Sequence, residues 1–307
     1  MKEFINFDKI SREDWRKLYQ NEAPSLTQEE LNEIKSLNDS ISLEDVKEIY
    51  VPLTHLVRIY LKAQENLQLG KGVFLRKLLP TPPFIIGISG SVAVGKSTVA
   101  RVLQVLLNRM FKHMDVELIT TDGFLYPTGY LIENNMLNRK GFPESYDMEK
   151  LIDFLSEVKS GKPQITSPVY SHEIYDIVPN KVNTLNKPDI LIVEGINVLQ
   201  LPENQQIYIS DFFDFSIYMD AKEENIKRWY IERFEALLDS AFQDPTNFYY
   251  TFAQMPREDA VAQANKIWQR VNKVNLEQYI LPTKPRADVI LHKNDSHLID
   301  LIYLRKY

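Results

Sequence analysis

Residues 84–98 read FIIGISGSVAVGKST and contain the pattern that decides the fold of the chain. The stretch begins with a short apolar run, 84–88, which is typical of a buried strand. Gly90–Thr98 then fits the pattern G-x-x-x-x-G-K-[ST], and a helical pattern follows from Lys96 to about Phe111. A strand, a glycine-rich turn and a helix in this order predict a phosphate-binding loop.

The residue types of this loop suit the binding of a nucleotide. Gly90 and Gly95 let the backbone curl, so that successive N–H groups and the positive end of the helix converge on phosphate oxygens. Lys96 can reach the β- and γ-phosphates, and the Ser97 hydroxyl can bind Mg²⁺. A chance match in a glycine-serine loop is the alternative, which the flanking strand and helix disfavour. The predicted nucleotide-binding residues are Gly90, Ser91, Val92, Ala93, Val94, Gly95, Lys96, Ser97 and Thr98.

The alternation of strand and helix continues through the rest of the chain. Strands that are nearly all apolar indicate a parallel sheet buried on both faces. The expected fold class is therefore α/β, with a P-loop NTPase-type parallel sheet, helices on both faces and a helical N-terminal extension. Apolar runs predict strands near 116–121, 189–194, 213–219 and 287–292, and amphipathic patterns predict helices near 148–159, at about 222–239 and from Pro256 onward.

The N-terminal quarter has a different pattern. Residues 1–75 are predicted to be helical, and the prolines of LLPTPP bar a continuing helix. No linker divides the chain convincingly. We therefore expect a single domain over 1–307, in which a helical N-terminal segment, 1–80, packs on a nucleotide- and substrate-binding core, 84–307.

Composition excludes several classes of protein. The 307 residues include no cysteine, which excludes disulfides, thiol catalysis and thiolate metal sites. The formal net charge of −6 argues against a general surface for nucleic acid or anionic membranes. The start MKEFINFDKISREDW lacks the apolar core of a signal peptide, and runs such as PFIIGI are too short to span a bilayer. We expect a soluble, cytoplasmic protein with no nucleic-acid or membrane partner.

Two acids follow predicted strands. Glu194 ends the apolar run of DILIVEG, where a carboxylate could lie beside the metal. Asp122 follows VELITT and precedes Gly123, and an Asp-Gly pair after a strand is most often a turn. The other hypothesis is that the Asp122 carboxylate emerges at the ligand-binding edge of the sheet and accepts a proton from a substrate hydroxyl. We favour it, because a turn alone gives no reason for a carboxylate rather than an amide.

A phosphate loop alone does not distinguish a kinase from a GTP-dependent switch. Residues 186–189, NKPD, mimic the guanine-reading N-K-x-D of such switches, but they precede an apolar run and so fall at the opposite sheet edge. Arg228 and Arg233 lie on a predicted helix that could act as a lid, where guanidinium groups could neutralise a transferring phosphoryl. For Arg228 we favour an ion pair with Glu224 or Glu232.

A cluster of aromatic residues and a histidine supports the kinase hypothesis. The segment PVYSHEIYD, between Pro168 and Pro179, is expected to be irregular. Tyr170, His172 and Tyr175 could form a hydrogen-bonding pocket for an uncharged, hydroxyl-bearing acceptor, although any one of them alone would usually be packing. The residues thus indicate a phosphate-loop kinase for a small hydroxyl substrate. A uridine or sugar kinase of the same fold and a non-catalytic nucleotide-binding regulator stay open.

An ordered set of motifs along most of the chain resembles the bacterial type I pantothenate kinases. Besides the phosphate loop it includes ELITTDGF, GFPESYDM, PVYSHEIYD, PDILIVEGINVLQ, DFFDFSIYMDA, WYIERF, AFQDP and NLEQYILPT. The resemblance implies a P-loop kinase that uses ATP and Mg²⁺ to phosphorylate pantothenate to 4'-phosphopantothenate, the first step of coenzyme A synthesis.

The resemblance also implies roles for individual residues. Asp122 matches the acid that activates the substrate hydroxyl, while Lys96 and Arg233 match the residues that contact the transferred phosphate. Ser97 and Glu194 match the groups around Mg²⁺. The pantothenate-binding positions are Tyr170, His172, Tyr230 and Asn272, and the positions beside the adenine are Asn38 and His297.

The resemblance has two further implications, which concern oligomeric state and inhibition. The family forms homodimers, and it is inhibited by coenzyme A, which competes with ATP. The resemblance therefore implies a homodimer with inhibitor contacts at Arg101, His172 and Lys96. Leu237 departs from the family pattern, in which a phenylalanine lining the substrate tail is expected at this position.

Overall fold

The computed structural model describes residues 4–19, 26–37, 39–200 and 207–307. The strands are β1 (Phe7–Ser11), β2 (Phe84–Gly90), β3 (Val116–Thr120), β4 (Ile165–Ser171), β5 (Asp176–Leu185), β6 (Ile190–Glu194), β7 (Phe215–Ala221), β8 (Val289–Lys293) and β9 (Ile299–Arg305). The α-helices are α1 (Arg12–Lys17), α2 (Gln28–Ile34), α3 (Leu43–Asp45), α4 (Val51–Leu75), α5 (Lys96–Met110), α6 (Thr128–Glu133), α7 (Met148–Lys159), α8 (Glu223–Leu238), α9 (Tyr250–Ala253), α10 (Arg257–Ile267) and α11 (Lys273–Asn275). Segments of π-helix cover Val46–Tyr50, Trp268–Asn272 and Leu276–Ile280, and 3₁₀ turns include Thr121–Phe124, Leu137–Arg139, Pro143–Ser145 and Leu281–Arg286.

The main sheet has the strand order β1-β9-β8-β7-β2-β6-β3. The five strands from β8 to β3 are parallel, which confirms the predicted α/β class, and β9 and β1 extend the sheet as antiparallel strands. The prediction that residues 1–75 are all helical is wrong at Phe7–Ser11. This strand pairs with β9 at the far end of the chain, and only two of its five residues are apolar, so the local pattern gives little signal.

The parallel strands are buried on both faces. Along β2, Ile86 and Ile88 pack in a core with helices α4 and α5, whereas Ile85 packs on the other face with α7. All seven residues of β2 are buried. This packing explains why the strands read as continuous apolar runs rather than as alternating patterns.

The N-terminal helices pack directly on the phosphate-loop helix. Trp15 and Leu31 belong to the same apolar core as helix α5 and strand β2. In the loop after α2, the Ser36 backbone N–H donates to Thr98 Oγ1 at 3.0 Å. The Arg101 guanidinium donates to Ser36 Oγ at 3.0 Å. The segment that follows α2 is therefore held against the first two turns of α5.

A separate two-stranded hairpin, β4–β5, contains the segment that we expected to be irregular. The two strands pair from Ile165↔Leu185 to Ser171↔Asp176, and Tyr175 in the connecting turn has a φ of 54°. Most of β5 is exposed, so it has no apolar alternation to mark it as a strand. The hairpin projects Tyr170 and its neighbours from a regular ladder.

The carboxyl ends of the central strands meet at one edge of the sheet. Ile88 and Thr120 both stand opposite Glu194, so β2, β3 and β6 end at the same level. From this edge β2 continues into the phosphate loop, and β7 leads into helix α8. The NKPD segment, 186–189, lies at the opposite edge, as predicted, because it precedes β6. None of the helices in the described ranges is long and apolar enough to cross a membrane.

Candidate active site

The phosphate loop takes up an unusual backbone conformation. Gly90 and Gly95 have φ angles of 144° and 95°, and Ala93 lies in the left-handed region with a φ of 58°. A Cβ on Gly95 would also lie 2.6 Å from Lys293 Nζ and 2.9 Å from Asp39 Oδ2. Glycine is thus required at Gly95 both for its conformation and for the close approach of this ion pair.

Lys96 is the central cation of the site. Its side chain is 9% exposed, and Nζ donates to Ser91 O at 2.7 Å within the loop. Burial lowers the pKa of Lys96, and the charge of Arg233 lowers it further, whereas Glu194 and Asp122 oppose the shift. The charges of these residues therefore act on one another at the carboxyl edge of the sheet.

Ser97 and Glu194 form a direct contact beside the loop. Ser97 Oγ donates to Glu194 Oε1 at 2.8 Å, and Glu194 is 9% exposed. Burial raises the pKa of Glu194, and Lys96 opposes this shift. A hydroxyl and a carboxylate are the hard oxygen ligands that Mg²⁺ prefers, and Mg²⁺ takes its remaining ligands from water and phosphates. The pair therefore fits a magnesium ion at the phosphates.

Asp122 lies in a turn, as the first hypothesis for the Asp-Gly pair expected, and its role as proton acceptor stays a prediction. It lies in the 3₁₀ turn Thr121–Phe124, where its backbone N–H donates to Thr120 Oγ1 at 3.4 Å. Its carboxylate Oδ1 accepts a hydrogen bond from Tyr146 at 3.3 Å. Its charge acts on the pKa of Lys96 and of Glu194, which places the carboxylate toward the phosphate loop.

Glycine is required at Gly123, after Asp122, because of a close contact and not because of a left-handed turn. A Cβ on Gly123 would meet the carbonyl oxygen of Pro168, far inside contact distance. Gly123 therefore allows strand β4 to approach the turn that carries Asp122. This close approach brings the hairpin, and Tyr170 on it, to the same edge of the sheet.

The four predicted acceptor-binding residues form two pairs. The rings of Tyr170 and His172 meet edge to face, with centroids 5.2 Å apart. Burial raises the pKa of Tyr230 to about 12, opposed by a hydrogen bond with Asn272. Tyr175 extends the first pair, because its ring meets that of Tyr170 edge to face with centroids 6.4 Å apart.

The charges of Asp122 and Arg233 both act on His172. Although the His172 side chain is exposed, partial loss of its solvation lowers its pKa, Asp122 opposes the shift, and Arg233 adds to it. The imidazole is therefore favoured in its neutral form, in which it can both donate and accept a hydrogen bond. A neutral imidazole beside Asp122 suits an uncharged hydroxyl.

The sequence analysis assigned no role to Lys140 or Tyr146. Lys140 Nζ lies 4.0 Å from the centre of the Tyr175 ring and donates to Thr128 Oγ1 at 3.0 Å and to Tyr175 O. The Tyr146 hydroxyl donates a hydrogen bond to Asp122 Oδ1. Tyr146 lies in the motif GFPESYDM, and Lys140 directly precedes it. This motif is the sequence feature from which a role for the two residues could have been predicted.

Three other predicted residues lie around the phosphate loop. Burial lowers the pKa of Arg101, which also bonds Ser36. The charge of Glu194 raises this pKa, and the charge of Arg233 lowers it further. His297 stacks on Trp229 with ring centroids 4.1 Å apart. Asn38 lies outside the described residues.

The preferred interpretation of Arg228 is confirmed. Its Nε lies 3.6 Å from Glu232 Oε1, and its guanidinium also donates to Asp295 O. Arg228 therefore forms an ion pair on the face of helix α8. Arg233 on the same helix acts on the pKa values of Lys96, Arg101 and His172, which places its charge at the site.

Comparison with known proteins agrees with this site. Residues 85–235 match the Phosphoribulokinase / Uridine kinase family. The chain is 61% identical to a pantothenate kinase of Enterococcus faecalis and 58% identical to one of Lactococcus lactis, and each match covers 100% of both chains. The chain belongs to the pantothenate kinases.

Structural comparison supports the fold of this pantothenate kinase family member. A D-glycerate 3-kinase from Cryptococcus neoformans superposes with a TM-score of 0.57, over 80% of this chain and 97% of that one. The sequence identity is 13%, so the likeness concerns the fold alone. It supports a P-loop kinase sheet.

Gly195 lies where the chain after Glu194 packs against the turn that carries Asp122. Its backbone N–H donates to Ile88 O at 3.0 Å, and a Cβ on it would overlap Thr121 Oγ1. Thr121 directly precedes Asp122, and Gly195 directly follows Glu194. The spacing of the two carboxylates therefore depends on this contact.

We expect Gly195→Ala to lower kcat by about 10- to 100-fold, because displacement of a catalytic group by about 1 Å has effects of this size. Thermal denaturation checks that the variant is folded, and steady-state kinetics give kcat. Removing the obstructing hydroxyl with Thr121→Ala in the same variant should restore part of the rate.

Gly129→Ala is the matched control, because a Cβ on Gly129 meets nothing within 4 Å. It should keep the wild-type kcat. Equal rates in Gly195→Ala and Gly129→Ala would contradict the role given to the Gly195–Thr121 contact.

Proposed function

We propose that this chain catalyses the ATP-dependent phosphorylation of pantothenate to 4'-phosphopantothenate, the first step of coenzyme A synthesis. The observation that carries the proposal is the match to curated pantothenate kinases at 61% and 58% identity over the whole chain. A uridine kinase or a non-catalytic regulator would not account for a match of this extent to pantothenate kinases.

The geometry supports a small hydroxyl substrate beside the phosphate loop. The groups opposite the loop are neutral hydrogen-bonding side chains from different elements: Tyr170 and His172 from the hairpin, Tyr230 from helix α8, and Asn272 from the segment after α10. The charge of Asp122 acts on Tyr170 and His172 among them. Neutral donors and acceptors around one carboxylate suit an alcohol whose proton must be removed.

The phosphoryl transfer follows from these positions. The substrate hydroxyl gives its proton to Asp122 as its oxygen forms a bond to the γ-phosphorus. The bond from that phosphorus to the β–γ bridging oxygen breaks, and its electron pair leaves with ADP. Lys96 and Arg233 offset the negative charge on the transferring group, which is the largest part of catalysis in phosphoryl transfer.

Ser97 and Glu194 would hold Mg²⁺ at the phosphates, where the metal neutralises charge on the β- and γ-phosphate oxygens. Ser97 lies in the first turn of helix α5, where its hydroxyl contacts Glu194 and would be one ligand of the metal. Since burial raises the pKa of Glu194, protons compete with the metal for this carboxylate. On the adenine side, we propose contacts from Asn38 and His297.

The test of the function is ADP release with pantothenate, uridine and ribulose 5-phosphate as acceptors. We expect turnover with pantothenate alone. Asp122→Asn should lower that kcat by about 10²–10⁴-fold, the usual range for a lost general base. The apparent affinity for ATP should change little, because the amide keeps the size of the side chain.

Two results would count against this assignment. Faster turnover of uridine or ribulose 5-phosphate would move the chain to another kinase class. An Asp122→Asn variant that keeps most of its kcat would leave Asp122 as a turn residue only. Asp153→Asn, which changes an exposed acid on α7, is the matched control for loss of one negative charge.

We further propose that coenzyme A inhibits the enzyme at the nucleotide site, with contacts from Lys96, Arg101 and His172. The charge of Arg233 acts on the pKa of each of these three residues, which supports one region that binds anions. Such a region would attract the phosphates of either nucleotide. Binding of one would then exclude the other.

Coenzyme A should therefore raise the apparent KM for ATP and leave the limiting rate nearly unchanged. Arg101→Ala should weaken inhibition by about tenfold or more, since a charged hydrogen bond contributes about 1.5–3 kcal/mol. Ser36→Ala is the control, because it removes the hydrogen bond from Arg101 but keeps the guanidinium charge. Undiminished inhibition at saturating ATP would exclude the shared site.

We also propose that the chain forms a homodimer through helix α4. On the side of α4 away from the core, a row of apolar or small residues at spacings of three and four faces solvent. Ile59, Leu67 and Phe74 are 64%, 57% and 85% exposed. Ala63 and Gly70 between them are small enough for a second helix to approach closely. A second copy of α4 offers the same surface, as a two-fold interface requires.

Leu67→Glu should convert the dimer to a monomer, because it places a charge in the middle of this row. Sedimentation equilibrium measures the mass, and thermal denaturation checks the fold. Lys71→Glu, an exposed position on the flank of the same helix, is the control and should remain dimeric. A Leu67→Glu variant that stays dimeric would rule out this face.

A further inference from the structure

Tyr146 is a buried tyrosine that contacts the proposed base. Its side chain is 4% exposed, and its hydroxyl donates to Asp122 Oδ1 at 3.3 Å. This distance is long for a hydrogen bond between oxygens, and such catalytic contacts often shorten in the reacting complex. Burial and the charge of Asp122 hold the pKa of Tyr146 well above its usual value. The phenol therefore keeps its proton and acts as a donor.

The backbone on both sides of Tyr146 pairs with the chain that follows the base. Tyr126 N donates to Ser145 O, and Asp147 N donates to Phe124 O, each at 2.8 Å. These two bonds flank a β-bridge between the segments. The Tyr146 hydroxyl is thus set at a fixed distance from the turn that carries the carboxylate.

The same segment is held a second time, at Gly141. The Gly141 carbonyl accepts hydrogen bonds from Asn275 Nδ2 at 2.8 Å and from Asn197 Nδ2 at 3.5 Å, and its N–H donates to Ser145 Oγ at 2.9 Å. Asn197 and Asn275 are both buried. They come from the loop after β6 and from the helical segment after α10, so two further elements fix the segment that carries Tyr146.

The Asp122 side chain has a competing partner. The carboxylate and the Lys96 ammonium attract each other electrostatically, since the charge of Asp122 raises the pKa of Lys96 against the lowering by burial. Rotation toward Lys96 would form an ion pair that occupies the proton acceptor and draws the cation away from the phosphates. A donor on Oδ1 opposes this rotation and leaves Oδ2 to accept the substrate proton.

We propose that Tyr146 is a positioning residue for Asp122, which keeps the carboxylate directed at the substrate hydroxyl and away from Lys96. The inference rests on the proposed role of Asp122 as proton acceptor. The hydrogen-bond partner of the Tyr146 hydroxyl is Asp122, whereas Ser97 and Glu194 bond each other. The energetic effect falls on the chemical step, because the orientation of the base matters only when the proton moves.

Tyr146→Phe removes the hydroxyl and keeps the ring, and we expect it to lower kcat by about 10- to 50-fold. The KM values for ATP and pantothenate should stay within about twofold of wild type. Tyr218→Phe is the matched control, because Tyr218 is equally buried but lies in strand β7. It should keep the wild-type kcat. All assays are run below the melting temperature of each variant, so that loss of folded protein does not lower the rate.

A double-mutant cycle tests whether Tyr146 acts through Asp122. In an Asp122→Asn background, Tyr146→Phe should change kcat by less than about twofold. A full loss in that background, an equal loss in Tyr218→Phe, or an effect on the KM for pantothenate alone would each overturn the proposal. Failure of the proposed function is distinguishable, because the wild type would then show no turnover with pantothenate.

Discussion

The burial of Lys96 and Glu194 near each other at the carboxyl edge of the sheet is the constraint on which the site depends. Each is 9% exposed, and removing a charge from water costs on the order of several kcal/mol per ion. The structure offsets this cost with the loop carbonyl of Ser91 for the cation and the Ser97 hydroxyl for the anion. The opposed shifts of their pKa values show that each charge stabilises the other without fully offsetting burial. Polyvalent phosphate and a divalent cation are ligands that match such a pair.

The N-terminal and C-terminal parts of the chain supply the outer support of the phosphate loop. The Asp39–Lys293 ion pair, at 2.9 Å and 6% exposure on each side chain, packs on Gly95 and joins the segment after α2 to the end of β8. Thr98 Oγ1 on helix α5 accepts a hydrogen bond from the Ser36 backbone N–H, so α5 also contacts the segment after α2. Breaking a buried pair of this kind leaves an uncompensated charge, which makes this arrangement specific. The segment after helix α2, outside the α/β core, thereby contacts the phosphate loop and the helix that follows it.

The acceptor side is built differently, from neutral groups on elements that do not neighbour each other in sequence. The hairpin approaches the Asp122 turn closely only because Gly123 has no Cβ opposite Pro168 O. Lys140 then lies over the ring of Tyr175 in the hairpin turn, a contact that joins the segment before Tyr146 to β4 and β5. Leu237 stands where the family pattern leads us to expect a phenylalanine. It packs in an apolar cluster with Phe234, Phe242 and Tyr249. A shorter aliphatic side chain there changes the shape of the apolar cluster rather than its charge.

The sequence by itself determined the phosphate loop, the α/β class, and the edge of the sheet at which Asp122 and Glu194 emerge. It could do so because these features are local: a glycine pattern, apolar runs buried on both faces, and acids at strand ends. Only the tertiary structure decided that Phe7–Ser11 is a strand, since its partner lies almost three hundred residues away and its own pattern is weak. The same holds for Tyr146 on Asp122 and for Lys293 on Gly95, because a contact between distant segments leaves no periodicity in either one. Local patterns predict which residues carry the chemistry, whereas the packing of distant segments decides what holds them in position.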